Sequence, residues 1–348
     1  MRAMIIKEFR ELRRDRRTMA MLIVLPILLL VVFGYAASFD VSDIPTATLG
    51  PSAEQVSGLL PDLFDVTTVD ATGSEEEARE LLRDSTVAVA ITTDGQPLVA
   101  YVDGSSLFTA QAASAALGRA GDAIEVEVLY NPDLITAWVL VPPLTGLILM
   151  FIGTVVTAIG LVRERENGTL EQLAVMPLSP SSVVLGKIVP YFILAAVDMV
   201  IVTILGVVLF GVPFNGNLGL FALGAALFLF VVLGIGVFIS TVSQNSGQAI
   251  QLAFFFLLPQ ILLSGMIFPL EAMPWGVRWI SYLLPLTYYT MIALGVMLRD
   301  AGLDSLWPAY LILSTMAVVV FAGATWRFSR DLAPPRRKHA ESLDEVAR

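Results

Sequence analysis

Long apolar runs alternate with short polar joins along most of this chain. Runs of membrane-spanning length fall at 19–38, 137–162, 184–211, 218–241, 248–268 and 306–326. Each is apolar on every side and lacks the period-two alternation of a half-buried strand. A helix in lipid needs that character, because its backbone groups must be satisfied within the segment itself. About twenty such residues cross a hydrocarbon core of roughly 30 Å. The pattern predicts six transmembrane helices. The first run follows a long basic stretch and exceeds the length of a usual signal h-region, so it reads as a retained span.

Three segments break the pattern. Segment 269–300 is apolar but interrupted by Pro269, Pro274 and Pro285 and rich in Trp and Tyr. Those residues suit short helices lying at the membrane interface or dipping into it. Segment 39–135 is polar and mixed. "TATLG", "DVTTVD", "TVAVAIT", "LVAYVDG" and "IEVEVLY" read as strands, and "SAEQVSGLL", "SEEEARELLRD" and "SSLFTAQAASAALGRA" as helices. Ser74 with Glu77 makes a capping box before the second of these helices. The segment is long enough for an α/β domain with a core of its own.

The third break is "RERENGTLEQLAVMPLSP", residues 163–180. Arg163, Glu164, Arg165 and Glu166 follow the second span, and Gly168 weakens helix there. Thr169 with Gln172 forms a capping box. Leu170, Leu173 and Ala174 then share one face, and Pro177 and Pro180 stop the helix. A helix of about two turns is marginal alone and must dock on something. Its own membrane domain or the headgroups would serve, and so would a groove in a cytoplasmic partner.

Composition sharpens the class. The 348 residues are 56% hydrophobic and 15% charged, against roughly 25% charged in soluble domains. There is no cysteine, and the single histidine is His339 in the polar tail 327–348, which is expected to be disordered. Disulfides, thiolate chemistry and cysteine metal sites are excluded, and histidine catalysis nearly so. No metal site and no catalytic residue is expected. A net charge of −10 argues against nucleic acid.

Sixteen of the 21 lysines and arginines fall on the side that holds both termini and segment 163–180. The positive-inside rule makes that side cytoplasmic and places 39–135 outside. Residues 1–18 gather Met1, Ile5, Phe9 and Leu12 on one helical face, with Lys7, Arg10, Arg13, Arg14 and Arg17 elsewhere. That is a basic amphipathic helix for an anionic lipid surface. Within the spans, Gly146, Gly153 and Gly160 recur every seven residues, flanked by Thr154 and Thr157. Small residues allow close helix approach, or they line a substrate path. Asp198 stands in mid-span in "LAAVDMVIV". An ionisable group there suits substrate-cation contact, proton sensing or an interhelical hydrogen bond.

"VRERENGTLEQLAVMPLSPSSVVLGK", "LSGMIFPLEAMPWGVRWISYLLPLTYY", "KEFRELRRDRRTMAMLIVLPILLLVVFGYA" and "YNPDLITAWVLVP" together resemble ABC-2 type transporter permeases. The resemblance covers nearly the whole chain. It implies a mainly α polytopic protein of a bacterial cytoplasmic (inner) membrane: six spans, an N-terminal interfacial helix, an extracytoplasmic α/β domain between spans 1 and 2, and re-entrant or interfacial helices before span 6. It also implies pairing with a second permease subunit, as homodimer or heterodimer, and with an ABC ATP-binding subunit that binds ATP and magnesium. The exported cargo would be a small molecule or lipid.

Carried over by position, Arg163, Glu164, Arg165, Glu166, Gly168, Thr169 and Glu171 form the element coupled to the ATPase, and Asp198, Gly146, Gly153 and Thr157 are candidates for the substrate path. The sequence has no G-x-x-x-x-G-K-[ST]: before Gly186–Lys187 the first glycine is replaced by Ser181, and Ile188 follows. ATP binding is therefore expected in a separate polypeptide. The rival class is a non-transporting receptor or assembly factor that presents the outer domain.

Overall fold

The computed structural model describes residues 43–167, 180–270 and 272–332. The expected N-terminal helix, the first span and most of the tail lie outside them.

Residues 44–129 form a five-stranded mixed sheet with helices on both faces. Strands β1 (Ile44–Leu49), β2 (Phe64–Asp70), β3 (Val89–Thr92), β4 (Leu98–Asp103) and β5 (Ile124–Leu129) lie in the order β2-β1-β3-β4-β5. Only the β3–β4 pair is antiparallel. Helices α1 (Ala53–Ser57) and α3 (Leu107–Leu117) close one face over Ile44, Val89, Ile91, Ala100 and Val102. Helix α2 (Glu75–Arg83) closes the other over Ala47, Leu49, Ala90 and Tyr101. The alternation of these two sets is the period of a pleated strand. All five expected strands and all three expected helices are present. The Ser74 cap is too, its hydroxyl accepting from the Glu77 N–H at 3.4 Å.

Asn131 joins this unit to the helices. It is fully buried. Its amide nitrogen donates to the carbonyls of Gly104 and Ile135, and its oxygen accepts from the Ile135 N–H at 2.8 Å. Both ends of one short side chain thus fix the angle at which the chain leaves the sheet.

Helices α4 (Thr136–Glu166), α5 (Pro180–Phe210), α6 (Leu218–Val242), α7 (Ser246–Leu263) and α10 (Leu303–Leu332) carry the apolar runs. Among the described residues these five are long and apolar enough to cross a membrane. They match the second to sixth expected runs with shifted ends. Helix α7 stops at Leu263, short of 268, because Gly265 takes a left-handed conformation at φ +82. Helix α4 does not end near 162. Residues 163–166 are good helix formers with no breaker among them, so they complete the helix instead of opening a separate element.

Between α7 and α10, α8 (Trp275–Ser281) and α9 (Pro285–Met297) form a pair bent by 78°. Pro285 supplies a helix start that needs no N–H donor. The next free donor, the Leu286 N–H, is taken by the side-chain oxygen of Gln260 on α7, at 3.2 Å. From there α9 runs back towards the sheet domain, where the Met297 and Leu298 carbonyls accept from Asn215. It is a half-helix wedged among α4, α6 and α10. Its Tyr289, Ile292, Ala293 and Val296 are fully buried, together with Phe228 of α6 and Leu313 of α10.

Candidate functional site

The end of the bundle remote from the sheet carries the first group of candidate residues. Glu166 closes α4. Its Oε1 accepts the backbone N–H of Ser246 at 3.1 Å, and its Oε2 accepts the Ser246 hydroxyl at 3.0 Å. Ser246 is the first residue of α7. A carboxylate is unfavourable at the C-terminal end of its own helix and favourable at the N-terminus of another. Glu166 therefore gains by reaching across to α7.

The start of α7 is capped independently. The Asn245 side chain accepts from the Gln248 N–H at 2.9 Å, and the Gln248 side chain accepts from the Gln244 N–H at 3.0 Å. This polar turn makes the start of α7. What the sequence did not disclose is its bond to Glu166, 80 residues away. The only local signal was the alternation of arginine and glutamate at 163–166, with nothing to say which group the carboxylates would meet. Of the other coupling candidates, Arg163 is exposed and Glu164 half-buried. Arg165 lies in the same last turn of α4. Gly168, Thr169 and Glu171 lie outside the described residues.

The second group lies in the bundle interior. A Cβ on Gly146 would overlap the ring of Tyr289, and one on Gly153 would lie 3.1 Å from Val232. A Cβ on Gly160 would meet the Tyr191 hydroxyl. The three glycines serve three different neighbours, on α9, α6 and α5, because a seven-residue repeat drifts about 20° per heptad on a straight helix. Thr157 is fully buried on α4, where a Cβ on Gly236 would approach its own Cβ to 2.9 Å. These small residues sit in contacts between helices of this one chain.

The Tyr289 ring stacks on Phe228 with centroids 4.5 Å apart. Its hydroxyl is 2.9 Å from Thr145 Oγ1 and 3.6 Å from Met199 Sδ. One aromatic side chain thus touches α4, α5 and α6 at once.

Asp198 is placed differently. It points outward from α5 among Ile193, Leu194, Val197, Val200 and Ile201, all exposed. Among the described residues it has no hydrogen bond or ion pair. The outer face of α4 is also apolar and bare, with Ile148, Phe151 and Ile152 exposed, and Phe151 packs edge-on against Phe254 of α7.

The third group joins the sheet unit to the bundle and had no counterpart in the sequence reading. Arg299, just after α9, forms an ion pair with Asp103 at the end of β4 at 3.4 Å. The side chains are 10% and 4% exposed. The same Nη1 contacts the hydroxyls of Ser85 and Ser105. Asp103 is held in place by the Ser105 N–H at 2.8 Å. Nearby, the Tyr130 phenol is pushed up to about 12, first by burial and then by the negative Asp103.

Apolar helices packed around a broken half-helix, with a small α/β unit at one end, define a polytopic membrane protein. The chain belongs to the ABC-2 transporter family: the family described as ABC-2 family transporter protein matches residues 16–326. This is a family of transport permeases, not of enzymes. The chain is 29% identical to the probable multidrug ABC transporter permease YbhR of Escherichia coli, over 92% of this chain and 96% of that protein. It is 29% identical to the probable multidrug ABC transporter permease YbhS of the same organism, over 93% and 95%. The inner membrane transport permease YhhJ of E. coli is 34% identical over 60% of this chain and 56% of its own length.

Proposed function

We propose that the chain is the membrane-spanning subunit of an ATP-driven exporter in a bacterial inner membrane, moving an amphipathic small molecule or lipid out of the cytoplasm. ATP and magnesium are bound by a separate ABC subunit, which docks at the Glu166 end of the bundle. The observation that carries this reading is the pair of hydrogen bonds that Ser246 donates to Glu166. It ties the end of α4 to the start of α7. Force applied to the segment after Glu166 would move two spans together. Rigid packed helices transmit displacement as a shift between discrete packings. Residues 163–171 are the lever in this reading, including Gly168, Thr169 and Glu171.

Both termini face the cytoplasm and the sheet unit faces outward, as the lysine and arginine distribution supports. A second permease subunit, identical or homologous, covers the face of α5 that bears Asp198. A carboxylate held among acyl chains is costly, so that face suits a protein neighbour or an aqueous path. Membrane lipids cover the remaining apolar faces. Gly146, Gly153 and Thr157 act on the path indirectly, by setting how closely α4 approaches its neighbours.

The test is reconstitution of the chain with its ATP-binding partner in proteoliposomes. Export of a fluorescent amphiphile should require ATP and fall when Glu164 or Glu166 is replaced by alanine, while membrane insertion persists. ATP-independent accumulation, or no transport with a stably bound ATPase, would favour a receptor role for the outer domain.

A further inference from the structure

Between the sheet unit and the adjoining helix ends lies a cavity of about 650 Å³, within the roughly 300–1,000 Å³ usual for small-molecule sites. Its wall is mostly apolar, with Leu140 of α4, Met291 and Leu294 of α9 and Leu306 of α10 contributing. Methionine adapts to ligand shape better than branched residues. One end of the cavity is charged, and there Asp84, Asp103 and Arg299 line it together.

That charged end is not self-sufficient. All of the Arg299 bonds described above use Nη1. Its Nε–H is shielded from solvent and has no acceptor. Arginine binds phosphate best through two parallel N–H donors, and the Nη1 contacts leave Nε unused. Asp84 shows the opposite deficit. Its buried Oδ1 forms an ion pair with Arg83 Nε at 3.6 Å, too long for a hydrogen bond, so neither atom has a hydrogen-bond partner. Each of these groups is costly to bury unsatisfied. They are neighbours, since Ser85 follows Asp84 and its hydroxyl contacts Arg299. An arginine whose Nε is unused and a carboxylate held by one long ion pair thus stand at the polar end of an apolar cavity. Asp103 balances Arg299 and Arg83 balances Asp84, so the charged end is neutral overall and gives a headgroup with a large net charge no net Coulombic attraction.

We propose that this junction cavity binds a single-chain amphiphile with a zwitterionic, phosphate-bearing headgroup. The phosphate accepts from Arg299, the ammonium donates to Asp84, and the chain lies against Leu140, Met291, Leu294 and Leu306. In naming the class of cargo, the inference rests on the exporter reading; the existence of the site does not.

The full-length chain in nanodiscs is titrated with radiolabelled palmitoyl-lysophosphatidylethanolamine by scintillation proximity, without nucleotide. Saturable binding at one site per chain is expected. Hexadecanol (tail alone) and phosphoethanolamine (head alone) should compete at least tenfold more weakly, and inorganic phosphate more weakly still. Leu140→Trp fills the apolar part without touching the ion pair, and should weaken binding at least tenfold. Arg299→Lys keeps a cation for Asp103 but removes Nε, and should do the same. Unchanged affinity in Leu140→Trp, or hexadecanol competing as well as the lysolipid, overturns the site. Leu140→Trp decides the matter if Arg299→Lys does not fold. Binding as expected without ATP-driven export of the lysolipid would sink its assignment as cargo and leave the site standing, whereas failure of the exporter reading shows as no ATP-driven export of any amphiphile.

Discussion

Glu166 and Ser246 meet as helix end and helix start. One carboxylate caps the first N–H of α7 and bonds its hydroxyl, while itself belonging to the last turn of α4. The pair is exposed to solvent, so its net contribution to stability is on the order of 0.3–1 kcal/mol. Its larger consequence is geometric. Glu166→Ala should leave expression and the melting temperature nearly unchanged and lower ATP-driven transport several-fold, with ATP hydrolysis retained. Glu166→Gln, which can still accept from the N–H, should fall between. Equal transport in all three proteins would remove this contact from the coupling path.

Gly146 and Tyr289 should behave as a unit. Gly146→Ala places a methyl group where the Tyr289 ring lies, and overpacking of this kind costs about 1–3 kcal/mol. Tyr289→Phe keeps the stack on Phe228 and loses the bond to Thr145, a loss of about 0.5–1.5 kcal/mol. Combining Gly146→Ala with Tyr289→Leu should recover part of the stability lost in the first change. A double-mutant cycle on thermal unfolding measures that coupling, and strict additivity would contradict the packing described.

Arg299 and Asp103 lie almost 200 residues apart in sequence and hold the sheet unit to the bundle. Removing one partner of a buried pair leaves the other uncompensated, at about 3–5 kcal/mol. Asp103→Ala should therefore loosen the junction and expose residues 131–135 to limited proteolysis. Replacing both with leucine should restore much of the protection, since an apolar pair carries no desolvation penalty. Equal cleavage in the single and double variants would argue against the pair as the tether.

The Tyr130 phenol sits beside that tether. Its folded-state value of about 12 lies above the ordinary 10. A raised folded value means that its contribution to stability is fully present below pH 10 and is lost as pH rises through about 12. The junction should open in that alkaline window, read by the same proteolysis. Tyr130→Phe cannot ionise and should reduce the opening between pH 10 and 12. An identical alkaline profile would show that other groups govern it.

Asp198→Asn separates charge from shape. On an outward apolar face without a described partner, the neutral amide should fold and assemble normally. If the carboxylate meets the transported molecule or a proton, export of a cationic amphiphile should fall about tenfold or lose its pH dependence. Unchanged export across pH would leave Asp198 without a role in the path.

By itself the sequence determined what each stretch of chain could become. Apolar runs located all five span helices that the structure describes, because a helix in lipid must be apolar on every side. The short quoted segments of the outer unit read as strands where the five strands lie, and the two sheet faces then follow because pleated strands turn successive side chains to opposite sides. Prolines marked the broken segment before the last span. These are local signals, carried by neighbours within a few residues. The tertiary structure alone decided which stretches meet. Residues 163–166 read as part of the polar segment after the second span, yet they extend α4 and hand Glu166 to Ser246. Gly146 looked like one member of a uniform stripe, yet it is the recess for Tyr289. Asp103 and Arg299 carried no mark of each other at all. Such pairs depend on the rotation and depth of whole helices. Those are set by summed packing over the bundle, and no window of sequence contains them.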